Sequence, residues 1–424
     1  MSGRIKQSII RLLRRAYYLS LSIFYYKAHT RIKKRIKRTG KANVCFVVSS
    51  LPMWRLQDLY DLLTKDSHYN TYLLLVPFLT FAEAQREVSL KELIEYFNTR
   101  DCPYQIFDPV TAQSPWEGKR PDIIFYQQMY STIYPEPIKV DNNLDKLICY
   151  IPYALRTCRG DVFYNSKYTN IIWKLFYPSQ IHADYARTHS FNKAKNVVVV
   201  GEPNANKYLR STYSYAWKPQ DNAKVKKVIW APHYSILGSG YLHRTGFLWL
   251  AELMNEIVLQ YEGKIQFVLK PHPRLKTSLY SHPDWGKEKT DLFFEQWDKG
   301  NNTQVETGEF IDLFMTSDAM IHDSGSFTAE YLYTKNPVLF TSKEIQSVYD
   351  SLDSFGTKCL DLHYKGNSKE DIISFLERIV IEGEDPLLEK REQFYKTVLL
   401  RETTGDVGYN IYRKLNEELF NIQN

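Results

Sequence analysis

Short apolar runs alternate with segments of helical period along most of this chain, and the alternation occurs twice. In the first stretch Val44–Ser49, Tyr72–Val76, Gln105–Phe107, Asp122–Tyr126, Leu147–Ile151 and Val197–Val200 read as buried strands, with helices over Leu56–Leu63 and from Ala82 to Phe97. Between Tyr208 and Lys227 the sequence turns polar and loses its period, which predicts a link between domains. The second stretch has strands at Lys227–Trp230, Ile265–Leu269, Ala319–Ile321 and Pro337–Phe340, and helices over Gly246–Tyr261 and Asp291–Trp297. Helix-rich segments at Lys369–Ile381 and Pro386–Leu415 follow. Strands that alternate with helices require crossovers, so each stretch predicts a parallel sheet covered on both faces. The expected organisation is a basic arm over 1–41, a Rossmann-like domain over 42–215 and a second over 226–424. Two such doubly wound domains would face a cleft, with ligands outside the carboxyl ends of the strands.

A chain of 424 residues, 44% of them apolar, can bury a core for each domain. The formal charge of +7 is concentrated at one end. Residues 1–41 hold thirteen Lys/Arg and no Asp or Glu, which leaves the rest of the chain net acidic. That distribution argues against a nucleic-acid groove across the fold and for attraction of one segment to an anionic surface. The five cysteines are scattered and form no CxxC pair, as fits a reducing cytoplasm.

Within the basic segment Ile5, Ile9, Leu12, Leu13, Ala16, Leu19 and Ile23 recur at helical spacing, with Arg4, Lys6, Arg11, Arg14 and Arg15 mostly elsewhere on the wheel. A second basic run, Arg31–Arg38, follows. The longest uncharged stretch, Ala16–Tyr26, is too short to span a bilayer, and no small-residue cleavage site follows it. The expectation is a basic amphipathic helix lying on the cytoplasmic face of the cell membrane, a peripheral attachment.

Three strand ends in the second stretch carry polar residues that a core does not require. They are Ala231-Pro232-His233-Tyr234-Ser235, Lys270-Pro271-His272-Pro273-Arg274, and His322-Asp323-Ser324-Gly325-Ser326 with Glu330 one helical turn on. Small residues opening a helix expose unpaired N–H groups, so Ser324, Gly325 and Ser326 predict a phosphate site, with Asp323 holding the turn. Lys270, His272 and Arg274 alternate, and in an extended segment they would point the same way, toward a diphosphate. His272, held between two prolines, is the candidate for donating a hydrogen bond or proton to a leaving phosphate. His233 and Ser235 would add donors, and Glu330 could accept from ribose hydroxyls. No metal-ligand cluster is visible, so no cofactor is expected to be required, although Mg²⁺ could accompany a nucleotide.

The order and spacing of these motifs resemble the CDP-glycerol glycerophosphotransferase family of teichoic acid and capsule polymerases. The resemblance rests on Ala231-Pro232-His233, His272-Pro273, Asp312-Leu313-Phe314 with Ser317-Asp318, and Asp323, Gly325, Ser326 and Glu330; Gly201-Glu202-Pro203 looks like the end of the family's first domain. It implies a GT-B fold of two Rossmann-type domains. It also implies a CDP-linked donor held by the second domain, with His272 near the donor phosphates, Gly325 and Ser326 on phosphate and Glu330 on ribose. Where that family has Trp-His-Gly-Thr-Pro in its first domain, this chain has Cys149-Tyr150-Ile151-Pro152-Tyr153-Ala154, without a histidine. Tyr153, His182 and His189 are the alternative bases. Asp323-Ser324-Gly325-Ser326 with Glu330 is also similar to a stretch of UDP-GlcNAc 2-epimerases, which share the GT-B architecture.

The activity expected is transfer of glycerol phosphate, or a related polyol phosphate or sugar, from a nucleotide-linked donor to a lipid-linked or glycan acceptor. A UDP-sugar glycosyltransferase or 2-epimerase, and a non-catalytic nucleotide-binding member of a polymer-synthesis complex, are the alternatives.

Overall fold

The computed structural model describes residues 3–80, 83–107, 115–116, 118–219, 224–236, 246–401 and 405–422. The chain divides into two compact units, Met1–Ala154 with Gly160–Ala205 and Glu402–Asn424, and Leu155–Arg159 with Asn206–Arg401.

In the first unit seven strands run in the order β3-β2-β1-β4-β5-β6-β7: β1 (Ala42–Val48), β2 (Tyr69–Leu75), β3 (Tyr104–Ile106), β4 (Ile123–Tyr126), β5 (Leu147–Tyr150), β6 (Lys174–Tyr177) and β7 (Val197–Val199). All pairings are parallel. Because neighbouring residues of a strand point to opposite faces, Val44, Phe46 and Val48 enter one apolar cluster while Cys45 and Val47 enter another. That double burial is why β1 is apolar throughout. Phe46 and Phe125 stack at 4.8 Å across β1 and β4.

The second unit has six parallel strands in the order β10-β9-β8-β11-β12-β13: β8 (Lys226–Ala231), β9 (Ile265–Leu269), β10 (Thr303–Val305), β11 (Ala319–His322), β12 (Val338–Thr341) and β13 (Tyr364–Gly366). Trp230 of β8 anchors its core, stacked on Phe247 at 5.7 Å and tilted against Trp297 at 5.1 Å.

Three strands escape the sequence pattern, β6, β10 and β13. Each is three or four residues long; Gln and Lys leave β10 and β13 without an apolar run, and Lys174 interrupts the apolar residues around β6. The expected start at Ala82 lies outside the described residues, and the observed helix is Glu83–Asn98. Part of the expected link, 220–223, also lies outside them. Its flank is bound to the second unit: Gln304 Oε1 accepts from the Lys218 N–H at 2.6 Å, and Gln266 Nε2 donates to the Lys218 carbonyl at 3.0 Å.

Two segments differ from the expected boundaries. The helix Val407–Phe420, expected with the second domain, packs in the first unit, where Val407, Ile411, Leu415 and Leu419 join the β1 cluster. Tyr69 donates to Asn416 Oδ1 at 2.5 Å, and Lys174 pairs with Glu418. The expected arm over 1–41 is one continuous helix, Gly3–Thr39, whose second half is built into the first unit. Ile36 is fully buried, the His29 ring bonds the Leu144 carbonyl at 3.0 Å, and Arg35 pairs with Asp122. Among the described residues no helix is long and apolar enough to cross a membrane.

Candidate functional site

The strand order of the second unit reverses between β8 and β11, since β9 and β10 lie on one side of β8 while β11, β12 and β13 lie on the other. At such a switch point the loops after adjacent strands diverge and leave a crevice at the carboxyl edge. Register puts the three polar strand ends side by side there. Trp230 is opposite Leu269, and Ala231 is opposite His322, so the residues that follow each strand emerge together. The Lys270 N–H donates to the Trp230 carbonyl at 2.8 Å, and the His272 N–H to the Pro232 carbonyl at 3.1 Å.

Asp323 ties two of these ends together. Its buried carboxylate accepts the His233 N–H at 2.7 Å and the Gly246 N–H at 2.5 Å. Burial raises its pKa to about 7, and the two N–H bonds pull the other way. The carboxylate is thus committed to backbone groups, and its part in the site is to fix the loops rather than to meet a phosphate.

Four side chains gather beside it. The His233 and His272 rings lie 5.1 Å apart, Tyr234 packs on His272 at 4.4 Å, and the Arg274 guanidinium covers Tyr234 at 4.4 Å. The His272 Nδ1 accepts the Arg274 N–H at 3.1 Å, which leaves the ring proton on Nε2. The His233 Nδ1 pairs with the Ser235 hydroxyl at 2.6 Å. Burial lowers His272 to about 3, with His233, Arg274 and Lys270 adding to the effect, and lowers His233 to about 4. At neutral pH both rings are therefore uncharged, and His272 offers an Nε2–H donor rather than a free imidazolium.

Lys270 departs from the expected alignment. The segment is not extended to Arg274, because Leu275 N–H returns to the His272 carbonyl at 2.8 Å and Arg274 begins a helix. The Lys270 ammonium is buried and donates to the Gly308 carbonyl at 2.6 Å. Burial lowers its pKa to about 8, against the nearby Glu306 and Glu309.

The Ser324–Ser326 turn is supported from beneath. The Ser324 N–H donates to His322 Nδ1 at 3.1 Å, and Thr328 Oγ1 donates to the Ser324 carbonyl at 2.9 Å. Buried His322 and His363 lie 5.3 Å apart, and burial lowers both. The helix behind the turn is a single turn, Phe327–Glu330, followed by a tight 3₁₀ turn at Tyr331–Tyr333. So short a helix carries little dipole, and any anion there would rely on local N–H groups. Gly325 and Ser326 are half-buried, and Glu330 lies almost wholly inside the unit at 3% exposure.

Sequence reasoning missed three contributors. Tyr234 is the ring on which His272 and Arg274 meet, and its place in a polar strand end was the available signal. Thr157 belongs to the short segment Leu155–Arg159, and its hydroxyl donates to the Gly325 carbonyl at 3.0 Å. Nothing local in the sequence marks that contact. In the first unit, buried Ser49 and Ser50 follow β1, and buried Gln127 and Gln128 follow β4, which puts polar groups at the carboxyl edge of that sheet. Paired serines and paired glutamines directly after apolar strands were the legible sign. Of the alternative bases, His182 is buried against the Ser179 hydroxyl at 2.7 Å, and His189 stacks on Tyr185 at 3.8 Å. The Tyr153 carbonyl accepts from Arg55 at 3.2 Å.

Two Rossmann-like units, each with strand order reversed about its first strand, define an α/β protein of GT-B architecture. Similar solved structures include the Staphylococcus aureus MnaA–UDP structure, 11% identical with a TM-score of 0.59, covering 90% of this chain and 99% of that one. The wall teichoic acid polymerase TagF, as a histidine-to-asparagine variant soaked with CDPG, is 12% identical with a TM-score of 0.56, covering 99% and 98%. UDP-GlcNAc 2-epimerase from Methanocaldococcus jannaschii, in complex with UDP-GlcNAc and UDP, is 14% identical with a TM-score of 0.55, covering 88% and 99%. No protein-family model and no curated sequence matches the chain. At these identities the likeness is one of fold.

Proposed function

We propose that this chain is a transferase that moves glycerol phosphate, or a related polyol phosphate or sugar, from a CDP-linked donor to a lipid-linked or glycan acceptor. It would work at the cytoplasmic face of the cell membrane in cell-surface polymer synthesis. The observation that carries the reading is the convergence of His233, Tyr234, His272 and Arg274 with the Ser324–Ser326 turn at the switch point of the second sheet. Arg274 supplies charge, the two imidazoles supply neutral donors, and Gly325 and Ser326 supply backbone N–H groups, a set suited to a diphosphate. Glu330 would reach ribose only from inside the unit.

In the reaction the acceptor oxygen attacks the phosphorus that carries glycerol, and the bond from that phosphorus to the bridging oxygen breaks. CMP leaves as the hydroxyl proton is released. The Nε2–H of His272 would meet the charge that grows on the leaving phosphate. Gln127 and Gln128 are candidates to orient acceptor hydroxyls, while the acceptor-activating base has no assigned residue. No metal is required in this scheme, and Mg²⁺ could travel with the nucleotide. Support also comes from the fold likeness to TagF soaked with CDPG.

A second reading, a 2-epimerase acting on a UDP-linked sugar, is favoured by the equal likeness to a UDP-GlcNAc 2-epimerase holding UDP-GlcNAc. Purified protein given CDP-glycerol and a lipid-linked acceptor should release CMP, and His272→Ala should not. Turnover of UDP-GlcNAc without any acceptor would favour the epimerase. Binding of nucleotide with no turnover of any donor would identify a non-catalytic member of a synthesis complex, and full activity of His272→Ala would remove the assigned role.

A further inference from the structure

The helix Gly3–Thr39 carries two rows of side chains about half a turn apart around its axis. One row, Tyr18, Leu21, Tyr25, His29, Ile32 and Ile36, faces the first unit: Tyr18 meets Phe191 at 5.8 Å, Leu21 and Tyr25 pack on the second apolar cluster, and Ile32 packs on the β1 cluster. The other row faces away. It begins with Ile5, Ile9, Leu12, Ala16, Leu19 and Ile23 and continues, at the same spacing, as Lys27, Arg31 and Lys34. Leu12 is 64% exposed, and Leu13 beside it and Ile23 are each 67% exposed. Residues 5–17 are exposed on every face of the helix, and the apolar row turns basic where the helix is anchored.

We infer that this outward row is a docking surface for an anionic phospholipid bilayer. The apolar part enters the headgroup–acyl boundary, and Lys27, Arg31 and Lys34 meet lipid phosphates. Charge complementarity favours this occupant, because the segment 1–41 holds thirteen basic residues and no acidic one. A second copy would set the basic residues either against themselves, when parallel, or against the apolar half, when antiparallel, and neither pairing supplies the anions that a phospholipid surface does. From Tyr18 to Ile36 the opposite row is bound into the first unit, so this half of the helix is anchored and sets the direction in which the exposed residues 5–17 continue toward the membrane. The inference deepens the proposed work on lipid-linked acceptors but is tested without turnover, so the two stand or fall separately.

Full-length protein should be sedimented with vesicles of phosphatidylglycerol and phosphatidylcholine, and with vesicles of phosphatidylcholine alone, alongside light scattering of the protein without lipid. Binding is expected only to the anionic vesicles and should weaken in high salt. Leu12→Glu with Ile23→Glu should lower partitioning at least tenfold. Lys27→Gln, Arg31→Gln and Lys34→Gln should each lower it roughly fivefold. All of these side chains are exposed, so thermal unfolding should match the wild type. Wild-type failure to bind anionic vesicles, or undiminished binding by both sets of variants, overturns the inference. So does a wild-type dimer that Leu12→Glu with Ile23→Glu dissociates, because the row would then be covered by a second copy.

Discussion

The Asp323 carboxylate accepts the His233 N–H at 2.7 Å and so joins the ends of β11 and β8 across the point where the strand order reverses. The same carboxylate holds Gly246 N–H, so one buried group at the end of β11 fixes both the residues that follow β8 and the residue that opens the helix Phe247–Gln260.

Asp323→Asn should therefore alter the pH dependence of stability. With a folded pKa of about 7 against an unfolded value near 3.8, Asp323 contributes stability that is fully present below the unfolded value and is lost as pH rises toward 7. The variant lacks that term. The difference in unfolding free energy between wild type and Asp323→Asn should change across pH 4 to 7, with a slope of at most about 1.4 kcal/mol per pH unit. Chemical denaturation at several pH values checks it, and a constant difference would refute the assignment.

His233, His272 and His322 act with the opposite sign. Each has its folded pKa depressed by burial, to about 4, 3 and 3, so the stability they confer is present above pH 6.5 and is lost as pH falls toward those values. Bound diphosphate should raise the His272 value, because an adjacent anion favours imidazolium. Titration of the His272 ring resonances by NMR, with and without CDP, should show an upward shift of at least one pH unit.

Nucleotide affinity should also fall as pH rises through about 8. The Lys270 ammonium carries its proton below that value and adds positive charge that is felt at His272. Calorimetry of CDP binding from pH 7 to 9.5 should show the loss, and Lys270→Gln should bind more weakly at pH 7 with a flatter profile.

Gly356→Ala should destabilise the second unit by about 1–3 kcal/mol or displace Leu155–Arg159. A Cβ at Gly356 would stand 1.9 Å from the Thr157 carbonyl oxygen, a backbone atom with little room to retreat because it accepts the Asp353 N–H at 2.9 Å. Thermal unfolding, with Thr157→Ser as a control that keeps the carbonyl, tests this.

In the first unit, Leu415→Ala should cost about 2–5 kcal/mol, since Leu415 is buried among Val407, Ile411 and Leu419 in the β1 cluster. If Val407–Phe420 were instead a dispensable tail, the unfolding midpoint in denaturant would not move.

The sequence by itself determined the class of fold. Val44–Val48 and Val228–Ala231 are apolar on both faces, and only a sheet covered on both sides buries such runs, so two parallel α/β units follow from local composition alone. It also located the three polar strand ends, because polar residues directly after a buried strand are visible without coordinates. Only the tertiary structure decided how those residues are used. Asp323 faces backbone N–H groups, Lys270 reaches Gly308, and Thr157 reaches Gly325 across a long interval of sequence. It likewise assigned Val407–Phe420 and half of Gly3–Thr39 to the first unit. An apolar stripe states that a helix must be covered but not by which surface, and a polar side chain states what it can bond but not which partner folding brings within reach.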